Sequence, residues 1–185
     1  MKWKRANKYL EEPLVDYLAK LFDETIAKGY TFDVAVGTDS QKSGKGYRFA
    51  TVILISMRED LGSGISTGRG GMVIHAAYNE DVVTKKDGLK PKGHEKVLLV
   101  RGKEGVNHRM IYEVSKSIEA AMQIADLVEA YGIKMTIHAD INANEKWESN
   151  KALSHAIGYI LGMGYDFKIK PDAWAASFGA DRFCA

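Results

Sequence analysis

The sequence predicts an α/β fold, with a central mixed five-stranded sheet and helices on both faces. Three observations carry that expectation. Apolar runs, several rich in β-branched residues, recur at 33–39, 47–57, 72–78, 133–140 and 165–170. Apolar residues at helical spacing occupy 11–29, 107–131, 149–161 and 172–184. The order is a helix, three strands, a long helix, and then alternating strand and helix. The first part reads as an antiparallel meander, and the alternation favours parallel pairing through right-handed crossovers.

The 185 residues suit a single domain, 1–185, with one core. Hydrophobic residues make up 45% and charged residues 27%, a globular balance that argues against wholesale disorder. Residues 1–30 read as an N-terminal helical extension and 79–106 as a basic insertion. The net charge of +2 is too mild to imply a nucleic-acid partner by itself. One cysteine, Cys184, leaves no intrachain disulfide framework and favours a reducing compartment. An amphipathic pattern, not an apolar signal core, follows the basic start Met1-Lys2-Trp3-Lys4-Arg5. No run approaches the ~18 apolar residues of a membrane helix. The expected location is cytoplasmic.

In the first helix Leu14, Tyr17, Leu18, Leu21, Phe22, Thr25 and Ile26 form one face. Pro13 suits its first turn, because proline has no N–H to satisfy there, and Gly29 supplies the stop. The strand 33–39 ends in an acid, and Ser40 to Gly46 reads as a hairpin loop into 47–57. The glycine-rich stretch 58–71 reads as a mobile loop. Its glycines are not spaced as a Walker A loop, and no Gly-Lys-Ser/Thr follows. Val82-Val83 and Val97 to Val100 suit short strands around a basic loop. Gly132 caps the long helix.

Two strands finish alike, in Val36-Gly37-Thr38-Asp39 and Ile137-His138-Ala139-Asp140. An aspartate ending an apolar strand is costly to bury unless it is paired or bound to metal. If the strands are parallel neighbours, Asp39 and Asp140 meet at the carboxyl edge, where open α/β sheets bind ligands. Like charges so close favour a proton or a cation, and carboxylate oxygens suit Mg²⁺ or Mn²⁺. The plainer alternative is that each aspartate starts a turn or caps a helix.

Thr38-Asp39-Ser40, then Gly44-Lys45-Gly46-Tyr47 and an apolar strand, resembles the first hairpin of ribonuclease H. Asn107-His108-Arg109-Met110 opening a long helix resembles that family too. Further motifs are Val-Gly-Thr-Asp-Ser-Gln at 36–41, His-Ala-Asp-Ile-Asn at 138–142, and Lys-Pro-Asp-Ala-Trp-Ala-Ala-Ser at 170–177, with Ala-Asp at 180–181. In this order they resemble the bacterial YkuK-type ribonuclease H-like family over roughly residues 30–184.

The resemblance implies a ribonuclease H-like fold and a nuclease with two metal ions. It puts the first acid at Asp39 and the acid of the fourth strand at Asp140. Ile111 stands where ribonuclease H has its helix glutamate. Glu113 is the nearest carboxylate, about 200° further round the helix at ~100° per residue, and Glu119 is the remoter candidate. Asp181 is the expected last acid. Asp172, after Pro171, is the alternative and also suits a helix N-cap. Two ions ~4 Å apart would bridge one phosphate, held by Asp39, Glu113, Asp140 and Asp181.

Residues 85–109 hold eight cationic side chains and three acidic ones, a local +5. Lys85, Lys86, Lys90, Lys92 and Arg109 are the candidate nucleic-acid contacts, RNA or an RNA–DNA hybrid ahead of duplex DNA. The same lysines also suit a solvated hairpin. His138 lies on the Asp140 face of its strand, either as an orienting group or as a buried strand residue. Trp147 and Trp174 suit base stacking or rim packing. Asn142, Asn144 and Asn150 are site-mouth contacts or turn residues. Loss of the acid at 111 leaves a second possibility, a catalytically weak or inactive ribonuclease H-like module that binds nucleic acid.

Overall fold

β-Structure begins before the first helix. The computed structural model describes residues 1–44, 46–81, 103–142 and 153–184. Within the N-terminal extension, β1 (Lys4–Arg5) and β2 (Lys8–Tyr9) form a hairpin ahead of α1 (Leu14–Ala27). Ala6 and Asn7 turn between them at positive φ. There follow β3 (Tyr30–Ser43), β4 (Gly46–Asp60), β5 (Ser66–Asp81), α2 (Lys103–Ala130) and β6 (Met135–Ala139). Then come α3 (Leu153–Gly162), β7 (Asp166–Lys168), a π-helix (Ala175–Ala180) and α4 (Asp181–Cys184). Lys85, Lys86, Lys90, Lys92, Trp147, Asn144, Asn150 and the strands expected at 82–83 and 97–100 lie outside the described residues.

Among the described residues the sheet has seven strands, not five, in the order β2-β1-β5-β4-β3-β6-β7. The two added strands are the N-terminal hairpin, which pairs with β5 through Lys4–His75 and Arg5–Ile74 and covers an otherwise open edge. The strands are too short for a periodicity of two to reveal them. β3, β4 and β5 form the expected antiparallel meander, while β3–β6 and β6–β7 are parallel.

The glycine-rich stretch expected as a loop is largely ladder. β4 and β5 pair out to Asp60–Ser66, with a register shift between Ser56 and Arg58. Only 61–65 turns, with Gly62, Ser63 and Gly64 at positive φ. The neighbouring strand offers main-chain partners, and these outweigh the conformational freedom of the glycines.

Alternation divides the sheet into two faces. Val34, Val36, Ile53, Ile55, Ile74 and Ile137 pack under α1, α2 and α3 in the main core. Leu18 and Phe22 of α1 are fully buried there, each worth about 1.5–3 kcal/mol. On the other face Ala50 and Val52 meet Ala180 and Cys184. The π-helix comes so close to β3 that a Cβ on Gly37 would lie 2.5 Å from the Ala176 nitrogen. Helices thus cover both faces, as expected. Among the described residues no helix is long and apolar enough to cross a membrane.

Candidate metal centre at the carboxyl edge of the sheet

Gly37 pairs with His138 and Thr38 with Ala139 in the parallel β3–β6 register. Asp39 and Asp140 are the next residues along the two strands, so they lie side by side where β6 ends and β3 runs on, paired with β4. Their neighbours fix the face. Gly37, Asp39 and Gln41 lie on the π-helix side, while Thr38 and Ser40 lie on the α2 side. Gln41 Nε2 accordingly donates to Asp181 Oδ1 at 2.6 Å. Ser177 Oγ of the π-helix donates to Asp140 Oδ1 at 2.5 Å, and Lys170 Nζ lies 2.9 Å from that oxygen.

Glu113 approaches from the opposite face. α2 buries Met110, Glu113, Val114, Ser117 and Ile118, a helical stripe that carries Glu113 inward. Ile111 packs at the margin of the main core. The Ser40 hydroxyl donates to Glu113 Oε1 at 2.6 Å, and Arg109 Nη1 lies 2.9 Å from the same oxygen. Arg109 also donates to the Ser40 carbonyl at 2.9 Å, and its guanidinium lies over the Tyr47 ring at 5.5 Å. Below them Ser117 Oγ donates to Thr38 Oγ1, which also meets Thr51 Oγ1.

Asp39 is 8% exposed and Glu113 4%. Burial, then the charges of Asp140 and Asp181, push the Asp39 carboxyl up to about 6, against the Ser40 backbone N–H and Arg109. Glu113 is pushed up to about 8, chiefly by burial. Arg109 and the Ser40 bond oppose that rise, while Asp39 and Asp140 add to it. Asp39, Glu113, Asp140 and Asp181 therefore share one electrostatic neighbourhood. The two alternatives lie elsewhere. Glu119 pairs with Lys116 on the exposed side of α2, and Asp172 lines a cavity with His138, Lys168 and Trp174.

Among the described residues, no three His, Cys, Asp or Glu side chains are set as ligands of one ion. The reason is visible in their partners: Glu113 turns to Ser40 and Arg109, Asp140 to Ser177 and Lys170, and Asp181 to Gln41. The donor set still fits a hard cation in its chemistry. The buried carboxyls of Asp39 and Glu113, each pushed up by burial and by neighbouring acids, would gain from a divalent charge, and Arg109 partly supplies such a charge here.

Sequence reasoning passed over the residues that hold these acids. Ser40, Gln41, Lys170 and Ser177 stand in the motifs without any chemical signature of their own. His138 serves the packing of the π-helix. Only 6% exposed, it accepts the Ala175 N–H through Nδ1 at 3.0 Å and so docks that element. Burial and then Lys168 hold it down at about 4, so the ring is neutral. Cys184 is buried too. Its Sγ donates to the Asp39 carbonyl at 3.1 Å, and burial, then the Asp39 charge, push the thiol up to about 12.

Residues 93–185 match a family described as ribonuclease H-like. The matched span contains Glu113, Asp140 and Asp181, whereas Asp39 lies before it. No curated protein and no solved structure matches the chain.

Proposed function

We infer, for a chain that belongs to the ribonuclease H-like family, a hydrolase of phosphodiester bonds in RNA, an RNA–DNA hybrid or structured DNA. It would depend on Mg²⁺ or Mn²⁺. The observation that carries this is the β3–β6 register, which sets the buried Asp39 beside the half-buried Asp140, with Asp181 and Glu113 close by. The ordered motifs at 36–41, 138–142 and 170–177 support a place in the YkuK-type branch.

Asp39, Asp140, Asp181 and Glu113 would hold the cation oxygens. When bound, the ions supply an activated water and a counter-charge for the departing 3′ oxygen. The chain's own part is to position. Ser40 orients Glu113, Gln41 orients Asp181, and Ser177 with Lys170 fixes one oxygen of Asp140. Rotation of Arg109 and Lys170 away from the acids would free them as ligands and leave two cations facing the substrate phosphate. Lys85, Lys86, Lys90 and Lys92 add the local positive charge that draws a phosphate backbone.

A nuclease assay on labelled RNA, hybrid and branched DNA with Mg²⁺ or Mn²⁺ tests this. Cleavage is expected in the native protein and absent in Asp39→Asn and Asp140→Asn. Equal product from all three proteins would reject it.

A second reading, a nucleic-acid-binding module without turnover, is favoured by the pairing of Glu113 with Arg109 and of Asp140 with Lys170. It predicts salt-sensitive binding without cleavage, weakened by charge reversal at Lys85, Lys86, Lys90 and Lys92. Measured turnover above that of Asp39→Asn excludes it.

A further inference from the structure

The π-helix packs on the sheet through Ala175, Ala176 and Ala180, all fully buried. Its two large side chains take no part in that packing. Trp174, just before it, is 62% exposed and Phe178 is 67% exposed. Their rings meet edge to face with centroids 6.1 Å apart. Two rings so exposed on one short element, touching each other rather than the core, form a small apolar platform in water.

The platform adjoins the acidic edge. Phe178 lines a cavity of about 360 Å³ with Lys170, Pro171 and Ser177, and both Lys170 and Ser177 touch Asp140. On the other side, Trp174 lines a cavity of about 260 Å³ with Lys168, His138, Asp172 and the Arg58–Asp33 ion pair. One lysine thus stands on each side of the rings, Lys170 paired with Asp140 and Lys168 in a cavity that Asp172 shares, and the first cavity opens beside a candidate metal-holding acid. Aromatic faces with cationic groups at their margins suit unpaired bases, since every base has a π-face and its phosphates lie a few ångströms away. A blunt duplex keeps its bases stacked inside and offers nothing for such rings to stack on.

We propose that Trp174 and Phe178 form a stacking platform for unpaired bases, so that the substrate enters the acidic edge as a single strand or through a single-stranded segment. The proposal rests on the nucleic-acid reading given above and narrows its substrate class. Lys170 and Lys168 then hold the phosphates on either side of the stacked bases. The rings set affinity and strand choice, while the acids set turnover.

The test measures fluorescence anisotropy of a short labelled single strand and of the matching blunt duplex, with the full chain and chelator present so that nothing is cleaved. The single strand is expected to bind more tightly. Trp174→Ala and Phe178→Ala should each weaken it roughly tenfold and leave duplex binding unchanged. Trp174→Phe should restore most of the loss. Both side chains are exposed, so melting temperatures should stay at the native value, which separates a lost platform from a lost fold.

Asp39→Asn distinguishes the two levels. Binding that depends on Trp174 and persists in Asp39→Asn, in a protein that never cleaves, sinks the nuclease reading and keeps the platform. Cleavage that depends on Asp39 but ignores both aromatic variants sinks the platform and keeps the nuclease. Tighter binding of the blunt duplex overturns the proposal. So does an oligomer that dissociates in Trp174→Ala while oligonucleotide binding is unaffected, because the rings would then cover a second copy.

Discussion

The Ser40 hydroxyl donates to Glu113 Oε1 at 2.6 Å, joining the interior sheet strand β3 to a helix residue 73 positions later in the chain. Ser40 follows Asp39 directly, so one stretch of β3 presents an acid to each face: its own on the π-helix side, and a borrowed one on the α2 side. This contact makes Glu113, and not Ile111, the helix acid that meets the sheet edge.

Ser40→Ala should show what that bond does. It favours the charged form of a carboxyl already pushed up to about 8, so its loss should raise Glu113 further. The acid limb of the cleavage profile should move to higher pH, with activity at neutral pH down by about tenfold. A profile that superimposes on the native one removes Ser40 from the site.

Stability should fall with rising pH because of the same acids. Folding raises Asp39 from 3.8 to about 6 and Glu113 from 4.5 to about 8. Such groups favour the fold most below their unfolded values, and that contribution is lost as pH rises through about 6 and about 8. Unfolding free energies from urea titrations at pH 5 and pH 9 should therefore differ less in Asp39→Asn and in Glu113→Gln than in the native chain, by about 1 kcal/mol or more in each.

Divalent cation should reverse that loss. Mg²⁺ or Mn²⁺ at roughly a hundred times its Kd should add about 2.7 kcal/mol of stability. The gain should be larger at pH 8.5 than at pH 5, where protons compete for the carboxylates. Thermal melts with and without the ion read it directly, and Asp39→Asn should abolish the shift. A native melting temperature indifferent to both ions at pH 8.5 would argue against a metal at this edge.

Gly37→Ala touches no acid. Its methyl would meet the Ala176 nitrogen at 2.5 Å and the Ala175 carbonyl carbon at 2.8 Å, and backbone cannot swing aside as a side chain can. The π-helix must lift from β3, at a cost of about 1–3 kcal/mol. Because Ser177 and Asp181 travel with it, cleavage should drop as well. Urea titration and the nuclease assay on the same sample check both effects.

His138→Ala should cost about 1–3 kcal/mol by leaving the Ala175 N–H without its acceptor. The native ring is held down at about 4 from 6.5. Its contribution is therefore present above pH 6.5 and lost as pH falls toward 4. An imidazole signal that titrates near 6.5 in the folded protein would contradict this.

The α/β class, the meander followed by alternation, and the acid just past the end of β6 were legible in the order of residues, whereas β3 runs on past Asp39 to pair with β4 as far as Ser43–Gly46, where a loop was expected. Strand and helix periods and terminal residues are local properties, written over a few neighbours. The N-terminal hairpin was not legible, because its two-residue strands exist only where β5 offers them an edge. Nor was the strand in glycine-rich 66–71, which depends on partners in β4. Packing in three dimensions chose the acids' company. Parallel register set Asp39 beside Asp140, α2 docking turned Glu113 toward Ser40, and the close approach at Gly37 seated the π-helix that leads to Asp181. Contacts between residues dozens of positions apart have no period along the chain, so only the packed sheet and its helices could settle them.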